Sequence, residues 1–142
     1  MGETVGVVAA SADAGALDAL VVPGRARACR VAEDELLLVC DPEVADEIAR
    51  ETGTRLTALD PDAIVLDATD GWAAIALEGR DADLLFARLS RLPLPSGGFV
   101  QGEVAHVPAK VLVDGGRLRI LVATSLEHHL RSRVTAAREA GS

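Results

Sequence analysis

Tyrosine is absent from this 142-residue chain, and only Trp72, Phe86 and Phe99 are aromatic. So few rings argue against stacking platforms for bases or sugars. Lysine is almost missing as well: Lys110 stands alone, and arginine carries the rest of the positive charge. With 22 acidic against 14 basic residues the formal net charge is −8, which disfavours nucleic acid as a partner. No apolar run reaches membrane-spanning length, and Met1-Gly2-Glu3-Thr4 has no basic leader character, so the expectation is a cytoplasmic protein with no membrane partner. The two cysteines, Cys29 and Cys40, lie on paired apolar segments. With a turn centred on Glu33 and Asp34, Cys29 is expected opposite Leu38 rather than Cys40, which leaves no disulfide and no thiol pair for a metal.

What is present is an apolar pattern that runs twice through the chain. The expected order is strand, helix, strand, strand, helix, with halves at about residues 4–52 and 63–138 of a single domain covering 1–142. In the first half, Val5–Ala9 reads as a strand, Ser11–Leu20 as a weak helix, and Ala26–Val31 with Glu35–Cys40 as a hairpin. Asp41 and Pro42 suit the cap and first position of a helix that carries Val44, Ala45 and Ile48 inward and stops at Gly53. Residues 53–62 then read as a connector, and Ala63–Leu66 as a further strand. In the second half Trp72–Leu77 reads as a strand and Asp81–Leu89 as a helix, followed by a loop over Arg91–Gly98. Apolar residues at 105, 107, 109, 111 and 113 predict one strand from Ala105 to Val113, and Asp114-Gly115-Gly116 a tight turn into Arg117–Ala123. Thr124 and Glu127 have capping-box spacing before a last helix with Leu126, Leu130 and Val134 on one stripe. The predicted class is α+β: two ferredoxin-like βαββα halves forming antiparallel sheet with helices on its outer faces.

The search for chemistry excludes more than it finds. His128 and His129 are adjacent on a helix and point about 100° apart, which rules out an i, i+4 ligand pair. His106 stands alone on the polar face of its predicted strand. Neither Gly97-Gly98 nor Gly115-Gly116 opens a helix after a strand, so no phosphate cradle is formed, and Ser90, Ser96 and Ser125 lack a nucleophile context. No residue is assigned a catalytic or metal-binding role. The polar turn Asp67-Ala68-Thr69-Asp70-Gly71 is the one concentration of functional side chains between strands. Asp67, Thr69 and Asp70 could grip a ligand or fix a subunit contact; Asx-type bonding of those side chains to nearby backbone is the plainer reading.

The segment from Asp67 to Ala82, with an Asp-x-Thr turn, the strand Trp72–Leu77 and Gly79-Arg80-Asp81-Ala82 at a helix start, resembles a pattern of the folate-binding aminomethyltransferase-like superfamily. Leu92-Pro93-Leu94, Phe99, Gly102 and Val107-Pro108, then Leu118–Val122 and Ser125–Val134, are similar to the sarcosine oxidase gamma subunit family within it. Cys29–Leu38 is similar to that family's polar turn leading into a Glu-x-Leu-Leu segment. The resemblance spans about residues 26–134; His128-His129 stand where family members often carry an aromatic, and no Lys-Gly-Cys-Tyr motif is present.

The resemblance implies a non-catalytic, gamma-type subunit of a tetrahydrofolate-linked flavin amine oxidase complex, supporting assembly beside a large folate-binding subunit and a flavoprotein subunit. FAD, FMN, NAD and tetrahydrofolate would be held by the complex, with none bound by this chain itself. Asp67, Asp70 and Trp72 are the expected partner contacts. The other options are a stand-alone folate or pterin-binding module, with Asp67, Thr69 and Asp70 at the ligand, and a homodimeric scaffold in isolation.

Overall fold

In the computed structural model, which describes residues 2–141, the backbone divides into two units, residues 4–70 and residues 2–3 with 71–141. The elements are β1 Gly2–Glu3, β2 Gly6–Ser11, α1 Ala14–Ala19, β3 Arg27–Ala32, β4 Glu35–Cys40, α2 Ala45–Leu59, β5 Ile64–Asp67, β6 Trp72–Glu78, α3 Ala82–Leu89, β7 Gly98–Val104, β8 Val107–Asp114, β9 Arg117–Ala123 and α4 Glu127–Ala140. The fold is α+β, with every strand pairing antiparallel.

The unit of residues 4–70 has the strand order β3-β4-β2-β5. Taken in chain order that is the ferredoxin-like arrangement, in which the third strand lies between the first and second and the fourth joins the first at the edge. Val8, Ala10, Leu36, Leu38 and Cys40 turn to one face, where they pack with Leu17 of α1 and Ala45, Ile48 and Leu56 of α2. Leu37 and Val39 are buried on the other face, so β4 is apolar on both sides as its unbroken run requires. The strand Ile64–Asp67 thus completes the first unit instead of opening the second, and the boundary falls between Asp70 and Gly71. Its pairing with β2 joins residues more than fifty apart, which no local pattern announces.

Two local expectations are corrected here. Gly53 does not stop α2, which runs on to Leu59. Ile48, Thr52 and Leu56 recur at four-residue intervals and are fully buried, and that continuous stripe outweighs the roughly 1 kcal/mol helix penalty of one glycine. Cys29 pairs with Leu37, not Leu38, because the ladder shifts by one residue between Arg30 and Ala32. Both cysteines are buried thiols outside any disulfide.

The other unit has the order β1-β6-β9-β8-β7. Its β6, β9 and β8 repeat the arrangement of β2, β4 and β3, and β1, from the start of the chain, takes the edge place that β5 holds in the first unit. Ile75, Leu77, Val111, Ile120 and Val122 face Leu85 and Phe86 of α3 and Leu130 and Val134 of α4. The expected strand over 105–113 is corrected: Ala105 and His106 form a two-residue hairpin turn, both at positive φ (51° and 70°), and residues 98–104 are a further strand, β7. His106 is accordingly an exposed turn residue and not on a strand face. At both second-hairpin exits a short 3-10 turn, Pro42–Val44 or Thr124–Leu126, precedes the α-helix. Thr124 therefore stands a turn ahead of α4, and the Glu127 carboxylate pairs with Arg131.

Candidate functional site

The polar turn after β5 is built from the strand outward. Asp67 lies opposite Val8 at the end of the ladder. Its Oδ1 accepts hydrogen bonds from the Thr69 backbone N–H at 3.1 Å and the Thr69 hydroxyl at 2.6 Å. The same hydroxyl oxygen accepts the Val7 N–H at 3.1 Å, and the Ala68 N–H donates to the Val7 carbonyl at 2.8 Å. Asp67 and Thr69 are thus brought together to close the β2–β5 edge, which is Asx-type turn chemistry. Asp70 is exposed on the following 3-10 turn, and Trp72, half-buried, begins β6 of the other unit opposite Ala123.

Cys40 lies near this turn. Burial pushes its thiol up, and the carboxylates of Asp67 and Asp41 add to the shift, so the sulfur stays protonated near neutral pH. Among the described residues no group of three or more His, Cys, Asp or Glu is placed to hold a metal ion.

In the other unit an open cleft of about 610 Å³ lies between the end of α3 and the β7–β8 hairpin, lined in part by Arg88, Arg91, Glu103 and His106. Ser90 faces it, but the hydroxyl donates to the Glu103 carbonyl at 2.6 Å and accepts the Leu92 N–H at 3.1 Å, which holds the loop in place. His129 Nε2 is 2.9 Å from the Ala105 carbonyl oxygen, while His128 is exposed. Five surface clefts among the described residues are lined without an aromatic side chain.

Sequence reasoning passed over the outward side of β5. Ile64 and Leu66 are 58% and 59% exposed there, while Val65 between them packs inward. The run of four apolar residues between Asp62 and Asp67 was the available signal, but it reads equally well as a strand covered on both faces.

No protein-family model matches the chain, and no curated protein matches it in sequence. Among solved structures, a chain of the heterotetrameric sarcosine oxidase from Corynebacterium sp. U-96, in complex with pyrrole 2-carboxylate, is similar at a TM-score of 0.78. The similarity covers 98% of this chain and 82% of that chain at 17% identity, and is a likeness of fold.

Proposed function

We propose that this chain is a non-catalytic, gamma-type subunit of a sarcosine-oxidase-like, tetrahydrofolate-linked flavin amine oxidase complex, where it supports assembly. The observation that carries this reading is the fold likeness to a chain of a heterotetrameric oxidase along nearly the whole length. The segments from Cys29 to Leu38 and from Asp67 onward, which resemble the gamma family, add to it. The polar turn contributes as well, because Asp67 and Thr69 bond to backbone and to each other. Its partners are a large folate-binding subunit and a flavoprotein subunit, and FAD, FMN, NAD and tetrahydrofolate reside in them.

Co-expression with a large folate-binding chain and a flavoprotein chain of this oxidase type tests the reading. One complex that co-elutes in size exclusion is expected; recovery of this chain by itself would overturn the proposal. Titration of the isolated chain with tetrahydrofolate separates it from a stand-alone pterin-binding module. Micromolar binding, weakened by Asp67→Asn, would establish the module instead.

A further inference from the structure

The sheet of residues 4–70 has two edges, and they are treated differently. β3 is interrupted by a bulge and carries Arg27 and Arg30, the usual devices that keep an edge from pairing with another chain. β5 has no lysine, proline or bulge within Ile64–Asp67, and its ladder to β2 is regular. Among the described residues only one side of β5 is paired, which leaves its outer row of backbone N–H and C=O groups for strand addition. Ile64 and Leu66 project from the same face of that strand, level with Ser11 and Ala9, and both remain more than half exposed. An edge strand that is regular, apolar at its centre and without lysine, proline or bulge can accept another strand.

The charge around β5 identifies the occupant. Asp60 and Asp62 precede the strand, Asp67 ends it, Asp70 follows it, and no lysine or arginine occurs between Arg55 and Arg80. A second copy would set the acidic ends of one β5 against the acidic ends of the other, whether the two strands ran parallel or antiparallel, and like charges across a strand pair oppose it. An extended apolar segment flanked by arginine or lysine meets the edge with hydrogen bonds along its length and opposite charge at both ends.

We propose that β5 is the docking strand of this chain and that a β-strand of the large partner subunit, apolar at its centre and basic at its flanks, adds to it through contacts with Ile64 and Leu66. This rests on the assembly role proposed above. It moves the expected contact from Asp67, Asp70 and Trp72 to the strand just before them, with Asp67 kept as a charged border.

The test uses the co-expressed complex. Ile64→Lys with Leu66→Lys should weaken association roughly 100-fold, the scale of a central apolar anchor. Because both side chains are exposed, the circular dichroism melt of the isolated chain should not move. Asp62→Lys should weaken the complex and flatten its salt dependence. Leu84→Lys, at an exposed leucine on α3, should leave it intact. Hydrogen exchange on the wild-type complex should show the amides of residues 64–67 protected relative to the isolated chain, a readout that needs no variant. A wild-type complex that forms while the double variant assembles equally well, with 64–67 unprotected, would overturn the docking strand and leave the assembly role standing. Failure of the wild-type chain to assemble would overturn both. A homodimer of the isolated chain that dissociates in the double variant would make the occupant a second copy, and the inference would also fall.

Discussion

The imidazole Nε2 of His129 lies 2.9 Å from the carbonyl oxygen of Ala105, tying α4 to the tip of the β7–β8 hairpin. The N–H of Ala105 donates to the Leu89 carbonyl at 2.7 Å, so the same turn is also fastened to the end of α3. These two bonds hold a pair of non-glycine residues in the left-handed region, which costs about 1–2 kcal/mol per residue. Replacing exposed His106 by glycine should therefore raise unfolding free energy by about 0.5–1 kcal/mol after the entropy of glycine is set against the relieved strain. His129→Ala should lower it by about 1 kcal/mol. Urea denaturation of the two variants measures both effects.

Gly53 lies inside α2, and a Cβ built there would meet nothing nearer than the Val65 Cβ at 3.9 Å, an ordinary van der Waals contact. Gly53→Ala should stabilise the chain by about 0.5–1 kcal/mol, since alanine loses less backbone freedom on forming helix. Leu56→Ala one turn later removes a fully buried side chain and should cost about 2–5 kcal/mol. A pair of thermal melts with opposite shifts is the expected result.

Thr69 joins β2 to the turn after β5 through one hydroxyl. Thr69→Val keeps the shape but leaves the Val7 N–H without that acceptor, and should destabilise by about 1–3 kcal/mol. Native-state hydrogen exchange should show the Val7 amide opening faster in the variant. An unchanged exchange rate would mean that water replaces the hydroxyl without loss.

The Asp60 carboxylate accepts the backbone N–H groups of Asp13 at 2.8 Å and Asp62 at 2.9 Å, and these bonds hold its pKa below the usual carboxylate range. A lowered value in the folded state means stability that is complete above the ordinary carboxylate pKa and is lost as pH falls through the folded one. Asp60→Asn should therefore flatten the acid side of the stability profile and leave the slope at neutral pH unchanged. Glu47, lowered by its hydrogen bond and ion pair to Arg25, follows the same sign, but both groups are exposed and high salt should erase that part. Denaturation at a series of pH values and two salt concentrations separates the two.

Local chemistry was readable wherever neighbours in sequence are also neighbours in space. Asp114-Gly115-Gly116 announced the β8–β9 turn, and Gly115 takes the positive φ of 63° that glycine tolerates. Leu85, Phe86 and Leu89 fall on one helical face and are buried as their spacing demands. The Ala105-His106 turn was not readable, because alanine rarely takes positive φ and the groups that hold the turn, Leu89 and His129, come from other elements. Of the polar turn, the Asp-x-Thr spacing was legible, but its use was not. That Thr69 caps the Val7 N–H depends on a strand sixty-two residues away.

By itself the amino-acid order determined most of the elements and the repeated strand–helix plan, because periodicity, caps and turn residues act over a few positions. Which strand completes which sheet was decided only in three dimensions, where β5 joins the first unit and β1 the second, since a strand's pairing depends on distant backbone rather than on its own side chains. The same holds for exposure: Ile64, Val65 and Leu66 are nearly identical in chemistry, and the sheet alone separates the one that is packed from the two that face outward.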